Sequence, residues 1–341
     1  MRPPRESLLT PLTPSVALHT HLYPLAERGL KVERLLGIGG TSEVALVRDQ
    51  NGEAFALKRL LGIHRDSRAQ RDALLFEGVH LSLIRSSKVI RCHELLTLPL
   101  PSALIQEDLS RDPSALSASE RHEVALLLDY IEGAHLRSLL KMIQQRRQPP
   151  LQPEEVASLI YDISEGLRGL HQATRSKDRP CPITHGDLSP TNILLKLRGS
   201  ALLIDLSSAS SLLNAKSDYG RPGKRAYLSP GLKRGEVEGT TGDLYALGII
   251  WFELVTGSHP PAHTHIRQSE LRRAGWPPAW STVVAGLLSP SVAHREVAFK
   301  RLSRSTIWGE DASQHRERQR LARRSLELRV RHARAAQSPT R

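Results

Sequence analysis

His185-Gly186-Asp187-Leu188-Ser189-Pro190-Thr191-Asn192 is the stretch on which the reading of this chain turns. It carries a carboxylate at Asp187 and a carboxamide five positions later at Asn192. A second carboxylate, Asp205, closes the apolar run Leu202-Leu203-Ile204. Strand-like runs at 193–197 and 201–204 separate the groups. Three groups suited to phosphoryl transfer thus lie within about twenty residues.

Upstream, apolar runs at 32–36, 44–48 and 54–60 predict three strands, with a hairpin turn at Asn51-Gly52. Gly37-Ile38-Gly39-Gly40-Thr41-Ser42-Glu43-Val44 lies between the first two. Glycines there let backbone N–H groups approach phosphate oxygens, although such a hairpin is also an ordinary turn. A strand rather than a helix follows, and no Gly-Lys-Ser/Thr is present, which disfavours the helix-based Walker and Rossmann readings. Lys58 interrupts the apolar strand Phe55-Ala56-Leu57, and a buried ammonium is costly unless an anion meets it. The bland alternative is an edge-strand lysine facing solvent. The next segment, 68–84, has helical spacing, and within it Glu77 breaks an apolar stretch as the natural partner of Lys58.

Taken in this order, the segments resemble the protein kinases, in particular the eukaryotic-like Ser/Thr kinases of bacteria. The resemblance runs from about Leu30 to Lys300. It implies an α+β, bilobal fold: a small β-rich lobe with one main helix, then a larger, mostly helical lobe. It further implies ATP and Mg²⁺ bound in the cleft between them and a protein hydroxyl as phosphate acceptor. Gly37 and Gly39 match the glycine-rich loop, Lys58 the strand lysine, Glu77 its helix partner and Asp187 the catalytic-loop aspartate. Asn192 and Asp205 match the two metal ligands. Leu128-Asp129-Tyr130-Ile131 resembles the linker whose backbone, at Asp129 and Ile131, meets adenine. Val44, Ala56 and Leu194 would sandwich the ring or serve as ordinary core. Gly223-Lys224-Arg225-Ala226-Tyr227-Leu228-Ser229-Pro230 resembles the end of an activation segment, and 243–257 the central helix of the large lobe.

Several positions depart from the family's pattern. Ser42 stands at the third loop glycine, Gly186 at the arginine before the catalytic aspartate, and Ser189 at the catalytic-loop lysine. Ser207 replaces the glycine after Asp205-Leu206. Gly231 replaces the glutamate after Pro230 and would leave Arg295 without its carboxylate. Lys224 is the candidate substitute for the charge lost at Ser189. Without the arginine, activity should not need a phosphorylated activation loop. These departures keep two alternatives open: a nucleotide-binding pseudokinase or scaffold, and a small-molecule phosphotransferase, which often carries His-Gly-Asp.

The whole chain has 341 residues, 39% hydrophobic and 24% charged, as expected of a folded globular protein. The layout expected is a Pro-rich extension at 1–28, a small lobe at 29–131 with a surface insertion at about 99–120, a large lobe at 132–300 and a basic tail at 301–341. The net charge of +13 is concentrated in that tail, where 316–341 holds nine Arg against two acids. A solvated helical or disordered tail is expected, or else a contact for an acidic partner; nucleic acid is not an expected partner. Two cysteines, Cys92 and Cys181, without metal-ligand spacing, point to a reducing compartment. With no signal peptide read in Met1–Pro14 and no membrane span, the cytoplasm is the expected location. His19, His21, His259, His263 and His265 read as loop histidines, and Trp276 and Trp280 as packing residues.

Overall fold

The structure, a computed structural model, describes residues 23–64, 67–99, 122–175, 179–210, 224–261 and 268–302, together with 307, 320, 323, 326, 327 and 329–331. Most of the expected extension, the 99–120 insertion beyond Pro99, Gly223, His19, His21, His263 and His265 lie outside these residues. The chain divides into two units, Met1–Leu75 with Cys92–Tyr130, and Phe76–Arg91 with Ile131–Arg341.

The small unit is a five-stranded antiparallel sheet. Its strands are β1 (Lys31–Ile38), β2 (Ser42–Arg48), β3 (Ala54–Leu60), β4 (Cys92–Pro99) and β5 (His122–Asp129), in the order β1-β2-β3-β5-β4. The β2–β3 turn forms where Asn51-Gly52 predicts it. Gly52 takes the left-handed φ of 82°. Asp49 caps the turn, its Oδ1 accepting from the N–H groups of Asn51 at 2.9 Å and Glu53 at 2.8 Å. Strand alternation sends Val47, Phe55, Leu57, Leu96, Leu98, Ala125 and Leu127 into one core. A short helix, α1 (Tyr23–Ala26), and Leu30 close that core: Leu25 is buried, and Arg28 pairs with Glu94 at 2.8 Å. The last residues of the expected extension are therefore part of this unit.

The strand expected over 89–96 begins later, at Cys92. The backbone of residues 88–90 is used within the large unit instead: Ile90 N donates to Leu203 O at 2.8 Å, and Leu203 N to Lys88 O at 2.9 Å. An apolar run does not say which sheet will take its hydrogen bonds.

The large unit is mostly helical. Its elements are α2 (Arg68–Leu83), which carries the division between the units, then β6 (Gly133–His135), α3 (Leu136–Gln144), α4 (Pro153–His171), and the strand pairs β7 (Thr174–Arg175) with β8 (Arg179–Pro180) and β9 (Ile193–Lys196) with β10 (Ala201–Leu203). Helices α5 (Pro230–Lys233), α6 (Thr240–Thr256), α7 (Gln268–Arg273), α8 (Pro278–Leu287) and α9 (Val292–Arg301) follow. Helix α4 starts and stops where its Pro153-Glu154-Glu155 opening and apolar period place it, with a capping box in which Glu155 Oε2 accepts from Gln152 N at 2.7 Å. Helix α6 is apolar on nearly every face and is the buried axis of the unit, with Trp251 fully enclosed and set edge-on to Trp280 at 5.5 Å. Trp276 and Trp280 are buried core residues. Among the described residues no helix is long and apolar enough to cross a membrane.

Two expectations change here. Arg295 has its carboxylate: Nη1 donates to Glu238 Oε2 at 2.8 Å, with both side chains buried. A Cβ added at Gly231 would lie 2.1 Å from Glu238 Oε1, so the Glu238 side chain fills the space that a residue at 231 would need. The tail is not simply solvated either. Glu155 and Asp162 lie two turns apart on one face of α4, both buried. Arg329 Nε donates to Glu155 Oε1 at 2.7 Å, and Arg323 Nη2 to Asp162 Oδ1 at 3.0 Å, beside Lys88 at 2.5 Å from the same carboxylate. Leu326 and Val330 are fully buried between them. Enclosed carboxylates need cations, and the tail supplies two.

Glu238→Ala should cost about 3–5 kcal/mol, because it strands the buried Arg295 guanidinium. Gly231→Glu alone should also destabilise. The double variant should lie above the sum of the two in a denaturant double-mutant cycle, since the new glutamate then has both room and a partner.

Candidate active site

In the small unit, β3 is the central strand and Lys58 on it is buried, which removes the edge-strand alternative. Val44 stands opposite Lys58 across β2, and Ala56 precedes it by two, so the three share one face of the sheet. Gly37 pairs with Val44, and Gly39 N donates to Ser42 O at 2.7 Å, which closes the glycine turn. Asp129 ends β5 opposite Phe55, hence on the other face, and its Oδ1 bonds His93 Nε2 at 2.6 Å.

In the large unit, the stretch 185–192 is hung from α6. Asp243 Oδ2 accepts from His185 N at 2.8 Å and its Oδ1 from Gly186 N at 3.0 Å, while His171 Nε2 lies 3.0 Å from Oδ2. Gly186 has a φ of 78°, and a Cβ there would sit 2.3 Å from Ser208 O. Glycine at this position is thus required by backbone shape and by the neighbouring segment together. Beyond it Asn192 Nδ2 donates to Asp187 O at 2.8 Å and to Asp187 Oδ2 at 2.9 Å. The β9–β10 hairpin is extended by Ile204 N donating to Asn192 O at 3.0 Å. Asn192 and Asp205 therefore stand at the same end of the hairpin. Leu194, on β9, pairs with Leu202 and with His135 of β6. Ile131 is half-buried just before β6.

Asp205 has a φ of 65°, unusual for a residue with a Cβ, and its Oδ1 accepts from Ser207 N at 3.3 Å. Glu77, fully buried on α2, accepts from Leu206 N at 3.2 Å, so it holds the segment that carries Asp205. Lys224 faces Asp187 from the other side. Its N–H donates to Asp187 Oδ1 at 2.7 Å, and its Nζ lies 3.4 Å from Oδ2 and 3.1 Å from Ser189 Oγ, with a further bond to Thr191 Oγ1. Lys224 opens a 3₁₀ turn that ends at Tyr227, whose hydroxyl donates to Glu253 on α6 at 2.9 Å. Burial pushes the Tyr227 hydroxyl above its ordinary value, helped by Glu253, and also raises the Glu253 carboxyl. A cavity of about 460 Å³ opens beside Asp187, lined among others by Lys224, Arg225, Leu232 and Val237.

The donor set fits Mg²⁺. Among the described residues no group of three or more His, Cys, Asp or Glu could form a protein cage for a metal. An amide oxygen and one carboxylate at a hairpin end are instead the partial, all-oxygen set suited to an ion that completes its shell with phosphate and water. Sequence reasoning missed Asp243 and Glu238 as supports. The one signal for Glu238 was that it and Glu236 are the only acids between Gly231 and Asp243.

Residues 30–285 match the protein kinase domain family. The chain belongs to the protein kinase family. The chain is 26% identical over 240 residues to mitogen-activated protein kinase kinase 3 of Arabidopsis thaliana, which covers 70% of the chain and 40% of that relative. It is 23% identical over 251 residues to the serine/threonine-protein kinase PknB of Mycobacterium leprae, covering 70% of the chain and 35% of the relative. It is 28% identical over 138 residues to the tyrosine-protein kinase MasK of Myxococcus xanthus, covering 40% and 21%. The match spans less than half the length of each.

Gly186→Arg, which restores the kinase family's usual residue, should lower stability by about 1–3 kcal/mol through strain at a positive φ. A thermal melt checks this, and an unchanged midpoint would count against it. Burial holds His80, one turn beyond Glu77, near a pKa of about 4, below its ordinary 6.5. The folded protein keeps it neutral while the unfolded chain takes up a proton below pH 6.5. Up to about 3 kcal/mol of stability should therefore be lost as pH falls from 6.5 to 4, and urea titrations of His80→Leu should show a shallower slope across that window.

Proposed function

We propose that this protein is an ATP- and Mg²⁺-dependent kinase that phosphorylates Ser or Thr hydroxyls of protein substrates. The observation that supports the reading is the placement of Asp187, Asn192 and Asp205: the Asn192 amide nitrogen holds Asp187, and the Asn192 carbonyl accepts from Ile204 N, the residue before Asp205. Asp187 is given the role of base, orienting the acceptor hydroxyl and taking its proton. Asn192 and Asp205 would hold Mg²⁺, which when bound neutralises charge on the phosphates. Lys58, with Val44 and Ala56 on its face and the Gly37–Gly39 turn before it, is given to the phosphates and the adenine ring, together with Leu194 and the backbone of Asp129 and Ile131. Glu77 keeps the role of lysine partner that the resemblance gives it.

Two departures that favoured a pseudokinase weaken under this geometry, because Glu238 supplies the carboxylate for Arg295 and an ammonium stands beside Ser189. The family match over both units weighs against a small-molecule phosphotransferase. The relatives named for serine/threonine activity support hydroxyls of that class, while one named for tyrosine makes the acceptor worth testing directly.

Purified protein given Mg·ATP and Ser-, Thr- and Tyr-containing peptide pools should label the Ser/Thr pools, with sites mapped by mass spectrometry. Asp187→Asn should lower the rate by about 10²–10⁴-fold. Equal labelling by wild type and Asp187→Asn would remove the enzyme reading, and faster labelling of sugars or aminoglycosides would remove the protein substrate.

A further inference from the structure

Ser189 leaves the catalytic loop without a cation, yet a cation stands there. Lys224 Nζ lies 3.1 Å from Ser189 Oγ and 3.4 Å from Asp187 Oδ2, and it also bonds Thr191 Oγ1. Three ammonium hydrogens thus meet three oxygens, all on the catalytic stretch. The side chain is 44% exposed, and an exposed ion pair adds little to stability. Its position has to be explained by what it faces.

The ammonium is also held from behind. Tyr227 N donates to Lys224 O at 2.8 Å, and the Tyr227 hydroxyl is fixed to both oxygens of Glu253, at 2.9 and 3.1 Å. Lys224 N itself donates to Asp187 Oδ1 at 2.7 Å. Backbone and side chain of one residue therefore grip both oxygens of the carboxylate that is the candidate base.

We infer that Lys224 is a catalytic residue, supplying from the activation segment the positive charge on the transferred phosphoryl group that this catalytic loop lacks. The inference rests on the kinase reading above. In the step, the acceptor oxygen bonds to the γ-phosphorus as the bond from that phosphorus to the β–γ bridging oxygen breaks. The electron pair leaves with ADP, and the hydroxyl proton passes to Asp187. Charge on the equatorial phosphoryl oxygens is met by the Lys224 ammonium, which reaches them from its seat on Ser189 and Thr191. Because that seat depends on the turn from Lys224 to Tyr227, the cation is present only when the end of the activation segment is docked on α6.

The test compares wild type, Lys224→Met and Lys224→Met with Ser189→Lys. Lys224→Met should lower kcat by about 10²–10³-fold with peptide KM within about twofold. Restoring an ammonium on the loop through Ser189→Lys should recover at least tenfold of it. As a readout apart from turnover, calorimetry with Mg·ADP should give equal affinity for all three, whereas Mg·ADP with aluminium fluoride and peptide should bind at least tenfold more weakly to Lys224→Met alone. Unchanged or raised kcat in Lys224→Met would overturn the inference, the second by making Lys224 a latch on Asp187. Loss of kcat without rescue and without loss of fluoroaluminate affinity would overturn it too. If wild type itself turns over no Mg·ATP, the kinase reading falls and the inference with it; an active wild type matched by Lys224→Met sinks the inference alone.

Discussion

The two carboxylates of helix α6, Asp243 and Glu253, are the supports on which the rest of the large unit's chemistry depends. Asp243 takes the N–H groups of His185 and Gly186, and Glu253 takes the Tyr227 hydroxyl. They stand ten positions apart on a helix whose apolar surface is otherwise enclosed. A carboxylate buried in such surroundings is tolerated only with donors aimed at it, so each fixes the segment that provides those donors. The stretch around Asp187 and the turn from Lys224 to Tyr227 are thereby both referred to α6, and Asp187 and Lys224 meet across supports on that one helix.

Two of the departures from the family's pattern, at Gly231 and Ser189, are met in space by residues elsewhere in the sequence. A glutamate seven positions after Gly231 occupies the room that glycine leaves and reaches Arg295. Loop and segment exchange functional groups around Asp187, a hydroxyl standing on the loop at Ser189 and an ammonium on the segment at Lys224. Gly186 is the converse case. There the backbone turns through positive φ against the Ser208 carbonyl, and the smaller residue is what the local shape demands.

Much of this was legible in the sequence, because the relevant signals are local. Asn51-Gly52 between apolar runs gives the β2–β3 hairpin, the Pro-Glu-Glu opening and apolar period give α4 to the residue, and the five-residue spacing of Asp187 and Asn192 foreshadows the hydrogen bond between their side chains. What escaped is non-local. Val89 and Ile90 look like a strand start, but their neighbours across space belong to β10. Glu238 and Asp243 carry no local pattern that marks them as acceptors for a buried arginine or for loop amides. The arginines after residue 316 look like surface charge because nothing in their own neighbourhood shows the acids of α4 waiting for them.

Those arginines bear on where this fold ends. The family match stops at 285, yet the buried Glu155 and Asp162 of α4 pair with Arg329, and with Arg323 and Lys88. A fragment trimmed to the matching residues would keep both acids and discard the two guanidinium groups, along with Leu326 and Val330 that shield them. Such a fragment would carry exposed apolar surface and, on α4, a buried carboxylate stripped of its guanidinium, so the large unit's packing uses more of the chain than the family match covers.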